Sequence, residues 1–160
     1  RYINLFGQLS SECYLRKVQP SDVDLLHEWA NDKKVRESSF NNNYIEYEKH
    51  VTWFNKCLAS DDIFIYILMY NSKPVGVVRL NIDGETAVIS YSVSKCFRNR
   101  GLGNEIIRLV ELRSRMISTV KNLVAFVKPD NIASRRVFIK LRYKEVFIEG
   151  KKQYQYIKLL

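Results

Sequence analysis

The sequence predicts a single domain of the mixed α/β (α+β) class, on three observations. Strand-like and helix-like patterns interleave in the order β-α-α-β-β-β-α-β-α-β-β. Ile63 to Tyr70 is an unbroken apolar run between polar flanks, the composition of a strand covered on both faces. Thr86 to Val93 alternates like a strand and leads through a basic, glycine-containing loop into a helix pattern, with Leu102, Ile106, Leu109 and Val110 at helical spacing.

Taken in order, residues 1–11 have no clear period and are expected to be a lead-in or linker to one domain over 12–160. The chain starts at Arg1 rather than Met, as a domain cut from a longer protein would. Cys13 to Val18 forms the first strand pattern. Ser21 is expected to cap the first helix, with Asp24 completing a capping box and Val23, Leu26 and Ala30 facing inward. Lys33 to Tyr44 is polar, contains Asn41-Asn42-Asn43, and is expected to be a loop. Glu46 to Leu58 is a helix with two stripes. Tyr47, Val51, Phe54 and Leu58 are expected to face the core, and Glu46, His50, Trp53 and Cys57 to face elsewhere. Asn71-Ser72-Lys73 turns the Ile63 run into Pro74 to Ile82, and Asp83-Gly84 turns that into Thr86 to Val93. Arg79 interrupts the middle strand among apolar neighbours, so it must reach a partner or a water-filled cleft. Asn122 to Val127, a helix from Asn131 to Leu141, and a hairpin of Tyr143 to Ile148 with Gln153 to Leu159 complete the chain.

With 160 residues, 46% hydrophobic and 27% charged, the chain has the size and balance of an ordinary globular domain. It has no apolar run of transmembrane length and no signal peptide, so no membrane partner is expected. Cys13, Cys57 and Cys96 are odd in number and fit no metal-ligand spacing, which points to reduced thiols, a cytoplasmic setting and no metal. A net charge of +9 suits a polyanionic ligand, nucleic acid or something smaller. The cations are spread along the chain, and nucleic acid would leave the glycine loop unexplained, so none is expected.

That loop, Arg98-Asn99-Arg100-Gly101-Leu102-Gly103-Asn104, opens a helix, where free N–H groups and the dipole favour an anion. A P-loop would need Lys-Ser/Thr after Gly103, and a dinucleotide fingerprint would need glycine at Ile106. What matches is Arg-x-x-Gly-x-Gly, with Asn131-Ile132-Ala133-Ser134 opening a second helix after Val124 to Val127. On these two motifs, the chain from about residue 12 onward resembles the GCN5-related N-acetyltransferases. The resemblance implies a central mixed, splayed seven-stranded sheet with helices on both faces. It implies acetyl-CoA as acyl donor, its pyrophosphate on Arg98, Asn99, Arg100, Gly101, Leu102, Gly103 and Asn104. Its pantetheine amides would pair with the strand end Tyr91, Ser92 and Val93, and the N–H near Val93 would face the thioester carbonyl. Asn131 and Ser134 would contact the pantetheine, Ser134 also as a catalytic candidate; Asn131 equally suits a helix cap.

The family's tyrosine acid falls at Phe138, so that role cannot be carried over; Tyr143, Tyr154 or water would have to replace it. His50 has a suitable intrinsic pKa for a general base, against the plain alternative of a structural histidine. Trp29-x-Asn31-Asp32, Val35-Arg36 and His50-x-x-Trp53 resemble the branch that acetylates the 4-amino group of UDP-linked amino-deoxy sugars for surface glycans. Some of its members are fused to, or work with, another pathway enzyme. On that reading Asn31, Arg36, His50, Trp53 and Arg79 bind the acceptor. Trp53 would stack on a ring, against the plain alternative of a core aromatic. Protein N-termini and polyamines are the alternative acceptors, and a non-catalytic CoA-binding domain is the alternative outside enzymes. The oligomeric state is left open.

Overall fold

The computed structural model describes residues 13–160, and the expected lead-in lies outside them. Seven strands form one sheet: β1 Cys13–Lys17, β2 Ile63–Tyr70, β3 Lys73–Asp83, β4 Thr86–Val93, β5 Asn122–Val127, β6 Lys144–Ile148 and β7 Gln153–Leu159. Their spatial order is β1-β2-β3-β4-β5-β7-β6, antiparallel except for the parallel pair β4 and β5. The helices are α1 Val23–Ala30, α2 Lys33–Ser38, α3 Tyr47–Ala59, α4 Leu102–Ser114 and α5 Ile132–Lys140.

The sheet has a core on each face. On one, Leu102, Ile106 and Val110 of α4 and Phe138 of α5 pack with Tyr66, Leu68, Val78 and Leu80. On the other, Leu26 of α1 and Phe54 and Cys57 of α3 pack on Ile65, Ile67 and Met69. Strand β2 feeds both cores alternately, which is why its sequence is apolar throughout.

β4 and β5 pair only from Thr86–Asn122 to Ile89–Ala125. Beyond that, β4 stays on β3 as far as Val93, and β5 stays on β7 as far as Val127. Each strand follows its own half of the sheet, so the halves splay. Gly76 lets β3 hold β4 to its end, since a Cβ there would lie 2.9 Å from the Ser92 carbonyl oxygen.

Three local expectations are corrected. The first helical turn is capped by Gln19, not Ser21: Asp22 accepts from the Gln19 N–H at 2.7 Å while gripping Arg16 in a bidentate pair, and Asp24 instead accepts from the Tyr47 hydroxyl. The expected loop from Lys33 to Tyr44 begins as α2, because Asp32 caps it through the Val35 N–H at 3.2 Å. On α3 the buried stripe is His50, Phe54 and Cys57, while Tyr47 and Leu58 are exposed. A buried imidazole is tolerated because its Nε2 bonds the Val23 carbonyl at 2.8 Å, so α3 turns that side toward α1.

Candidate active site

The splay opens a cleft of about 970 Å³ between β4 and β5, roofed by α2 and the loop after it and flanked by α3. Strand alternation sets what backbone it presents. The Ser94 N–H bonds Val75 on β3, so the N–H groups of Tyr91 and Val93 point the other way, toward the gap. Past Ile89 the gap offers them no β5 partner.

At one end of the cleft lies the glycine loop. Asn99 and Gly101 both take left-handed conformations, at φ 62° and 77°, and turn the chain abruptly into α4. Gly101 is the N-cap of α4 and brings no side chain to satisfy the first-turn N–H groups of Leu102, Gly103 and Asn104. A Cβ on Gly101 would meet nothing within 4 Å, so the space in front of that helix end is open. Gly103 is needed for packing instead: its Cβ would sit 3.3 Å from Val137 and 3.6 Å from the Tyr91 ring. Arg98, expected to meet the pyrophosphate, lines the cleft with two of its nitrogens already engaged. Its Nε donates to the Val93 carbonyl at 3.1 Å and its Nη2 to Asp32 at 2.7 Å. Burial opposes the Asp32 carboxylate, but Arg98 and the Val35 N–H outweigh it and hold its pKa below the usual range. Arg100 lies over the Phe97 ring, outside the cleft lining. Asn104 lines the cleft with its Oδ1 buried and unpartnered.

Across the gap, Asn131 caps α5 by accepting from the Ser134 N–H at 3.2 Å. Ser134 Oγ accepts from the Tyr91 hydroxyl at 3.1 Å, and burial pushes that phenol's pKa up. Phe138 is fully buried, stacked on Tyr156 and edge-on to Tyr91 and Tyr143. Neither substitute acid reaches the cleft. The Tyr143 hydroxyl is buried, its pKa raised by burial and by the neighbouring Glu111, and Tyr154 lies under the Arg135 guanidinium at 3.9 Å.

At the other end, the expected acceptor residues divide. Trp53 is 37% exposed and carries Arg79 on its face at 5.3 Å. Arg79 Nε donates to Asn81 at 2.8 Å, and the guanidinium has no carboxylate partner among the described residues. Burial lowers its pKa, and it lines the cleft. Asn31 and Arg36 both spend hydrogen bonds on the backbone of the loop through Ile45, and of the two only Arg36 lines the cleft. Asn31 clips the Ile45 backbone through both side-chain atoms at 2.9 and 3.0 Å and is absent from the cleft wall. Arg36 donates to the carbonyls of Ala30, Asn41 and Asn43, closing the loop after α2 around itself. His50 is 2% exposed, and its Nε2 is committed as a donor to Val23. Burial holds its pKa down. Sequence reasoning missed Lys34 and Lys49, which also line this end, because isolated lysines in polar stretches carry no local signal.

The splayed parallel pair with a helix N-terminus at its mouth is the arrangement that the acyl-CoA-dependent transferase expectation called for. The sequence bears this out: residues 13–144 match the family model described as "Acetyltransferase (GNAT) domain". The chain therefore belongs to that family, as an acetyl-CoA-dependent N-acetyltransferase. A Methanocaldococcus jannaschii domain superposes with a TM-score of 0.83 at 18% identity, over 94% of this chain and 100% of that one. Spermidine N-acetyltransferase from Vibrio cholerae, solved with CoA and spermine, gives 0.80 at 16% identity, over 92% and 95%. RimL, a ribosomal-protein α-N-acetyltransferase solved with coenzyme A, gives 0.79 at 16%, over 96% and 97%. No curated protein matches significantly. Among the described residues no helix is long and apolar enough to cross a membrane, and no group of His, Cys, Asp or Glu could hold a metal ion.

Proposed function

We propose that the protein transfers acetyl from acetyl-CoA to an amine on an anionic small molecule, best matched by the 4-amino group of a UDP-linked amino-deoxy sugar. The observation that carries this reading is the Arg79 guanidinium, directed into the cleft with no carboxylate partner. Lys34 and Lys49 add charge at the same end, against Glu46 as the one acidic residue in the lining among the described residues. A polycation such as spermine would meet repulsion there, whereas a diphosphate would complete an ion pair that burial makes expensive to leave open. Trp53 supplies a face for a ring.

The residues fit acetyl-CoA as follows. The first-turn N–H groups of α4 take the pyrophosphate, and the gap-facing N–H groups of Tyr91 and Val93 take the pantetheine and the carbonyl being attacked. Asn131 and Ser134 line the opposite wall. His50 holds α3 against α1 rather than moving the proton, because its outward-donating Nε2 is occupied. Glu46 is left as the side chain that steers the amine proton toward solvent. The departing thiolate, with a thiol pKa of about 8.5, needs no tyrosine acid. In the same reading the enzyme works in the cytoplasm, beside or fused to another enzyme of nucleotide-sugar metabolism.

The test is thiol release from acetyl-CoA with a UDP-4-amino-4,6-dideoxy sugar, spermine and a free-amine peptide. The sugar nucleotide should give the highest kcat/KM; preference for spermine or peptide would overturn the acceptor assignment.

A further inference from the structure

Helix α2 is unusual in this fold because nothing in it is buried. A helix of six residues is too short to persist on its own, so its position must come from its ties: Arg36 inside it holds the Ala30, Asn41 and Asn43 carbonyls, and each end is held as well. The two ends are tied to opposite walls of the cleft. At the start, Asp32 both caps the helix and receives Arg98 Nη2 at 2.7 Å, while Arg98 Nε holds the Val93 carbonyl at 3.1 Å, at the end of β4. At the finish, Lys128, the residue after β5, donates to the Glu37 carbonyl at 3.0 Å. The walls so joined are the two strands that part after Ile89 and Ala125. Between the ties, Lys34, Val35 and Ser38 line the cleft.

We propose that α2 is a strap across the cofactor gap, and that Asp32 and Lys128 are positioning residues that set how long acetyl-CoA stays bound. The proposal rests on the reading that the gap holds the pantetheine arm. A ligand threaded beneath a strap fixed at both ends leaves only when one end lets go. Each tie should therefore control the rate of release more than the rate of entry, and freeing one end should leave little for the second to do. The two ties differ in strength. Asp32 and Arg98 are 19% and 20% exposed and meet through a charged pair, whereas the Lys128 contact is on the surface and uses a neutral carbonyl.

The experiment is stopped-flow displacement of CoA from the intact chain, which needs no acceptor. Asp32→Asn keeps a good helix cap but removes the charge that holds Arg98. It should speed CoA release about tenfold, with entry changed less than about twofold. Lys128→Met, a surface change that does not threaten folding, should speed release about twofold to fourfold. The double variant should release CoA no faster than the product of the two, and closer to Asp32→Asn alone. Lys33→Ala, which breaks an exposed pair with Glu37 within α2 and touches neither wall, should behave as the wild type. Amide exchange at Val35 and Arg36 should slow on CoA binding in the wild type and less so in the two variants. Unchanged release in both tie variants would overturn the proposal. So would slower release in Asp32→Asn, which would mean that a freed Arg98 grips the pyrophosphate instead. Failure of the wild type to bind CoA would sink the underlying reading of the gap.

Discussion

Replacing His50 by alanine removes a ring that is 2% exposed, stacked on Phe54 and in contact with Trp53 and His27. Large-to-small changes at such sites cost about 2–4 kcal/mol, and the lost bond to the Val23 carbonyl adds about 1 kcal/mol. A total of about 3–5 kcal/mol should lower Tm by roughly 6–20 °C in a domain of this size. The folded variant, assayed well below its Tm, should keep most of its kcat, because the ring's role is to hold α3 to α1. Stability should also respond to pH. Burial holds the native pKa below the ordinary histidine value, so as pH falls the unfolded chain takes up the proton first. The contribution of His50 is therefore complete above pH of about 6.5 and is lost as pH falls from there toward the depressed native value. Urea unfolding at pH 7.5 and 5.5 should show the gap between wild type and variant narrowing at the lower pH. If Tm held while kcat fell a hundredfold or more, His50 would be moving protons and the structural reading would be wrong.

Four other outcomes are expected. Gly101→Val places a β-branched residue at φ 77° and should cost about 1–2 kcal/mol of stability, with a CoA affinity measured by calorimetry that drops well beyond that loss. Arg79→Met should raise the acceptor KM while leaving the CoA Kd unchanged, and Tm should hold or rise because a buried cation is removed. Glu46→Gln should reduce kcat by about tenfold to a hundredfold at neutral pH without weakening CoA binding. Tyr143→Phe removes a hydroxyl buried beside the Glu111 carboxylate and outside the cleft lining, so stability should change by no more than about 1 kcal/mol and turnover should not change.

The glycine-loop end of the cleft was legible in the chain because it is local. Strand, basic loop, two glycines and helix are consecutive, and Gly101 declares its left-handed backbone by being glycine. The other end was not, because its lining residues gather from α2, α3 and β3, and their spacing cannot say which way each side chain turns. Asn31 and Arg36 have the chemistry of ligand binders, yet the nearest unsatisfied groups are carbonyls and amides of the loop through Ile45, and those claim their hydrogen bonds. The two stripes of α3 lie too close together for hydrophobicity to choose between them; a single hydrogen bond from His50 to Val23 chose.

The sequence by itself determined the strands and nearly all of the helices, since periodicity and turn chemistry act over a few residues; the class of reaction came from the family resemblance that its two motifs carry. The splay between β4 and β5 could be expected only by resemblance, and it is tertiary in cause: each strand remains loyal to its other neighbour. The same holds for α2. Six residues without a buried side chain carry no hydrophobic signal; beyond the local Asp32 cap and the Arg36 bonds, they are held in place by Arg98 and Lys128, 66 and 91 residues away from their partners.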